Sequence, residues 1–133
     1  VILADVMDEL AWRLRTIAGL ESFGWPAPTV TPPAALVYYP KTWEYLTYGN
    51  EVESYTLDVV VVVGKPDDRP TRQVLSDYLR TSGPTSVIQA LQTGQTTTFD
   101  VIDIQEVEVG TYQIAGVTYL AIICGCKISG SRS

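Results

Sequence analysis

Tyr55-Thr-Leu-Asp-Val-Val-Val-Val-Val-Gly64 is followed by Lys65-Pro-Asp-Asp-Arg-Pro70, an amphipathic run, and Ser82-Gly-Pro-Thr-Ser-Val-Ile-Gln-Ala-Leu91. Tyr55, Leu57, Val59, Val61 and Val63 share one face of a strand. The other face begins polar at Thr56 and Asp58 and turns apolar at Val60 and Val62. Such a strand starts one-sided and enters a covered region of its sheet. Asp67 or Asp68 is placed to cap the next helix, and Pro70 suits its first turn. Val74, Leu75, Tyr78 and Leu79 supply the buried stripe of that helix. Gly83-Pro84 ends it, and Thr85 or Ser86 caps a second short helix carrying Val87, Ile88 and Leu91.

Upstream, Leu3, Val6, Met7, Leu10, Leu14 and Ile17 recur at helical spacing, with acids early and arginines late. This predicts a helix over Ala4–Ala18 stopped by Gly19, with Asp5, Asp8, Glu9, Arg13 and Arg15 on its polar side. Gly24-Trp-Pro-Ala-Pro28 and Thr31-Pro-Pro33 read as a stiff extended connector. Ala35–Tyr39 is a short strand closed by Pro40. The aromatic, polar run 41–54 reads as a hairpin arm with its tip near Thr47–Asn50.

Downstream, Gly94–Thr98 is a turn. Phe99 and Val101 then share one phase while Ile102 and Ile104 take the other, which predicts a bulge near Val101. Val107 and Val109 continue the strand, Tyr112 and Ile114 start another, and Ala115-Gly116 turns it. Val117–Ile128 is a long last strand, followed by a loose tail, Ser129–Ser133. The 32 residues Lys65–Thr96 suffice for a helical crossover to a parallel strand. The expected fold is α/β (α+β). A mixed, mostly antiparallel sheet of four to five strands carries an N-terminal helix and a central helix pair, in one domain over 1–133.

With 46% apolar and 18% charged residues, a chain of this length builds a packed core. Nine basic residues scattered in a chain of net charge −6 do not form the cationic groove that nucleic acid requires. The longest pure apolar run, Val59–Val63, is far short of a membrane span, and no secretory leader is expected. Histidine is absent, which removes the commonest general base, the Ser-His and Cys-His pairs and the commonest zinc ligand. No enzyme and no cofactor are expected.

Cys124 and Cys126 point to one face of the last strand and read as small reduced core residues. Asp100, Asp103, Glu106 and Glu108 could pair as carboxylates, but Glu106 and Glu108 alternate with valines as a solvated strand face does. Val63-Gly-Lys-Pro66 lacks the spacing of a phosphate loop. Trp43, Tyr45, Tyr48 and Asn50 stand out, because large rings cluster in a segment with few aliphatics. Aromatics favour interfaces, and a cover over the sheet end of the same chain is the alternative.

Several segments in order carry a family resemblance. They are Leu3-Ala-Asp-Val-Met-Asp-Glu-Leu-Ala11, Gly24-Trp-Pro26, Pro32-Pro-Ala-Ala35, Asp58-Val-Val-Val-Val-Val-Gly-Lys65, Asp68-Arg69 and Ser82–Leu91. Together, from about Leu3 to Ile128, the chain resembles tail terminator proteins of long-tailed phages that infect actinobacteria. The resemblance implies a virion structural protein at the tail–neck junction, assembled in the host cytoplasm. It implies a homo-hexameric ring that caps the major tail tube protein and meets a head-completion or stopper protein. Genomic DNA would pass through the lumen without specific binding, and no membrane would be involved. Six copies at −6 each carry a formal −36, which suits a conduit that does not grip DNA. Another neck role, stopper or adaptor, is the alternative, with a small-ligand-binding domain behind it. The resemblance supplies no catalytic residue.

Overall fold

The computed structural model describes residues 2–17, 19–25, 31–45, 52–67, 69–80, 82–92, 99 and 101–131. In chain order these form α1 (Leu3–Leu14), β1 (Glu21–Phe23), β2 (Ala34–Val37), β3 (Thr42–Tyr45), β4 (Val52–Gly64), α2 (Arg69–Tyr78), α3 (Val87–Gln92), β5 (Val101–Ile114) and β6 (Val117–Ser131). The fold is α+β. Six strands form one mixed, mostly antiparallel sheet in the order β1-β2-β4-β6-β5, with β3 beside β4 below β2. The sixth strand relative to expectation is β1, three residues paired parallel to β2.

β4 holds the centre. Val59–Val62 pair with β2 on one side, and Val52–Gly64 pair with β6 on the other. Leu57, Val59, Val61 and Val63 join Ile122, Cys124, Cys126 and Ile128 of β6 under the helices. Val6, Leu10 and Leu14 of α1, Tyr78 of α2, and Val87 and Leu91 of α3 close over them. The opposite face carries a second, smaller cluster. There Leu36, Val60, Val62 and Ala121 are covered by Ile114 and by Phe23, Tyr38, Tyr112 and Tyr119 rather than by a helix. That explains why β4 turns apolar on both faces at Val60.

The crossover behaves as chain length requires, with a difference. β5 runs parallel to β4, but β6 lies between them and pairs antiparallel with both. α2 begins at Arg69 with Pro70 in its first turn. α3 is capped by Ser86, whose Oγ accepts the Gln89 N–H at 3.1 Å and donates to the Arg80 carbonyl. Thr85 donates to the Asp77 carbonyl at 2.9 Å and ties the two helices together.

Four features differ from the sequence reading. α1 ends at Leu14, and beyond it the Ile17 N–H bonds the Leu14 carbonyl and the Leu20 N–H the Ile17 carbonyl, while Ala18 lies outside the described residues. Ile17 and Leu20 are buried all the same, because a chain of tight turns repeats every three residues, close to helical spacing. β5 is one strand from Val101 to Ile114, and its register slips at Gln105 rather than near Val101. β6 continues to Ser131, paired to Val52, so Ser129–Ser131 of the expected loose tail belong to the strand, and the last two residues lie outside the described ones.

The fourth concerns Arg13, which is 2% exposed instead of solvated. Its Nη1 donates to the Leu91 carbonyl at the end of α3 at 2.6 Å. Its Nη2 lies 3.1 Å from Glu9 Oε2, and its guanidinium stacks 5.0 Å from the Phe99 ring centre. A single charge thus pins α1 to α3 and to the start of β5.

Candidate interaction surface

The aromatic arm is built by β3 against the first half of β4. Thr42 pairs with Thr56, Trp43 with Tyr55, and Tyr45 with Glu53. Lys41 N–H to the Thr56 carbonyl and Tyr38 N–H to the Asp58 carbonyl carry the chain across the break at Pro40 between β2 and β3. Trp43 stacks on Tyr55 with ring centres 6.5 Å apart and planes at 17°, yet stays 57% exposed. Tyr45 lies on β3 by its backbone pairing. Tyr48 and Asn50 fall outside the described residues, as does the predicted tip.

Exposure of large rings extends beyond the arm. The chain has three tryptophans. All are at least half exposed: Trp12 on α1 at 64%, Trp25 after β1 at 50%, and Trp43. Tyr39 is 63% exposed. Tryptophan is normally among the more buried residues, so this pattern departs from ordinary packing. Phe23 meets Trp25 edge-on at 5.3 Å, and Gly24 between them sits directly against Asp8 of α1, where a Cβ would collide.

Among the described residues three strands pair on one side only: β5 with β6, β3 with β4, and β1 with β2. Along β5, Val101, Val107 and Val109 are exposed. Val107 and Val109 pair with Cys124 and Ile122, which places them on the helix-bearing face, past the reach of the helices. Trp43 is on that same face, since its partner Tyr55 pairs in turn with Ile128.

On the opposite face Lys41, Asp58, Glu106 and Glu108 rim a hollow of about 210 Å³ floored by Gly125. Gly125 pairs with both Asp58 and Glu106, and its missing side chain lets the charges gather. Lys41 Nζ lies 2.9 Å from Asp58 Oδ2. A hydrogen bond that the protonated Glu108 carboxyl donates to Glu106, then the Glu106 charge, raises Glu108 above its ordinary value. The Asp58 carboxylate raises Lys41. Both groups are solvated, so these are local preferences of little energetic weight.

No chemistry converges elsewhere. Openings of about 440 and 330 Å³ flank the start of α2, and one of about 340 Å³ lies between α1 and the Gly83-Pro84 turn. Each is broadly open to solvent, unlike a pocket that buries most of its ligand's surface. Cys124 and Cys126 are free and buried. Burial pushes the Cys124 thiol up to about 12 and raises Cys126 as well. Both are therefore inert thiols at neutral pH. Among the described residues no acidic or sulfur cluster is arranged to hold a metal, and no helix is long and apolar enough to cross a membrane. Neither a family model nor a curated protein matches the chain.

Proposed function

We propose that this chain is a virion structural protein at the head–tail junction of a long-tailed phage. In this reading it is a tail terminator, whose copies close into a hexameric ring on the last ring of the tail tube and present a surface to the head-completion protein. The carrying observation is that the chain fills its core and still leaves all three tryptophans at least half exposed. Such a surface suits a subunit meant to be covered by neighbours on several sides. The ordered segments that resemble tail terminators give the assembly its identity. The work is mechanical: stop tube growth, join tail to head, and let DNA through an acidic ring without holding it.

The test is electron microscopy of intact particles, with the protein located by a fused tag. A sixfold ring between tube and head-side connector is expected. Absence from particles, or a position on the portal side of the stopper, overturns the terminator reading. In vitro, adding the protein to polymerising tube subunits should shorten the tubes and leave it at their ends.

A further inference from the structure

We propose that β5 of one copy pairs antiparallel with β3 of the next, so that the sheet continues from subunit to subunit with Trp43 lying across Val107 and Val109. This deepens the ring reading and rests on it for the partner, a second copy of this chain. Four observations converge on it.

First, β5 and β3, each paired on one side only among the described residues, are the outer strands on opposite sides of one sheet, β3 along the first half of β4, as a head-to-tail contact requires. An open edge presents backbone donors and acceptors that a second strand satisfies. Second, the directions agree. β5 runs parallel to β4, and β3 runs antiparallel to it. A neighbour that extends the sheet in the same sense therefore brings an antiparallel pair together, like every joint in this sheet except β1–β2. Third, the faces agree. Trp43, Val107 and Val109 are 57%, 36% and 47% exposed, and all sit on the helix-bearing face. An aromatic ring over β-branched side chains is a favourable cross-strand pairing.

Fourth, the alternative use of the β5 edge is disfavoured. A two-fold β5–β5 pair centred on Val107 would set Glu106 opposite Glu108 of the other copy. Those carboxylates already crowd each other within one chain, and like charges directly opposed are destabilising. That register, which would set Val107 against Val107, is thus disfavoured relative to the head-to-tail joint. β3 is four residues long, so each joint is weak alone. Closing a ring makes the last joint intramolecular, which strengthens the whole.

Single-cysteine variants test the pairing, because the native thiols are buried and unreactive. Trp43→Cys, Val107→Cys and Val109→Cys are made separately at exposed positions, so folding should persist, checked by circular dichroism. Under mild oxidation, mixing Trp43→Cys with Val107→Cys or Val109→Cys should give a disulfide-linked pair, and each variant alone should give none. The double variant Trp43→Cys/Val109→Cys should give a ladder of linked species on a non-reducing gel. Val107→Lys with Val109→Lys should weaken self-association about tenfold or more, as loss of central interface side chains does.

Self-linking of Val109→Cys alone, unchanged association of the lysine variant, or no mixed disulfide in protein that assembles would overturn the pairing. Sixfold rings on tubes without the mixed disulfide would sink the pairing and leave the terminator reading standing. A mixed disulfide from protein that neither caps tubes nor occurs in particles would do the reverse.

Discussion

β4 and β5 are nearly equal in length, thirteen and fourteen residues, and run in the same direction one strand apart. β4 has neighbours on both sides, and Val59–Val63 are at most 4% exposed. β5 has one neighbour and is exposed or half-exposed from Val101 to Gln113. The sequences differ accordingly: an unbroken run of five valines against Glu106-Val-Glu-Val109. A strand's composition here reports how many neighbours it has, and the strand with one neighbour keeps a free side for another chain.

The sharpest way to break that contrast is one charge placed in each strand. Val61→Asp buries an unpaired carboxylate in a site with no exposure and should cost more than about 4 kcal/mol, enough to unfold the protein. Val109→Asp should shift stability by no more than about 0.5 kcal/mol. Urea melts of the two variants read this directly, and equal losses would mean that β5 is covered within the monomer.

A smaller effect is expected from shortening β5. Gln105 is the extra residue where Ile104 pairs with Cys126 and Glu106 with Gly125. Deleting it should preserve every ladder partner and both faces, with a stability change of about 1 kcal/mol or less. Loss of the bulge also straightens the edge, so self-association should rise in sedimentation runs. Deleting Leu57 from β4, where the pairing to β6 has no register shift, has no such slack and should abolish folding.

The smallest effects come from the thiols beside β4. Cys124 and Cys126 should resist a thiol reagent at pH 8 in native protein and react fully on unfolding, whereas Val109→Cys should react at once. Their folded pKa values lie above the ordinary 9.0, so the unfolded chain releases protons first as pH rises. Stability should be unaffected by these groups below about pH 9 and should fall progressively toward about 12. The raised Tyr78 hydroxyl acts in the same direction. Thermal melts across that range check the sign.

The centre of the fold was legible because burial on both faces writes a valine run, and because Pro70 and Ser86 mark helix starts by local chemistry. What escaped depends on neighbours distant in sequence. β1 shows no pattern in three residues, and its middle residue, Ser22, is buried only because it donates to the Ala11 carbonyl at 2.7 Å. Arg13 reads as polar surface until Leu91 and Phe99 arrive 78 and more residues later. The aromatic cluster of Tyr38, Tyr112 and Tyr119 is spread over three strands and forms only when β6 enters between β4 and β5. Trp43 was legible as an interface candidate from residue type alone. Its place on an outer strand was not, since an edge is a property of topology.

The Arg13 pin also sets an order in time. A ribosome makes α1 ahead of the other described elements, with Val6, Leu10 and Leu14 already patterned for a core. β1 and β2 soon offer the Ser22 hydroxyl to the Ala11 carbonyl and Ala35 and Val37 to that face, but the carbonyl that holds Arg13 belongs to Leu91, and the ring over it to Phe99. Until that much chain has emerged, Arg13 is a latch without its catch, the last turn of α3. A chain truncated before Leu91 should therefore hold α1 to β1 and β2 but leave Arg13 unsecured.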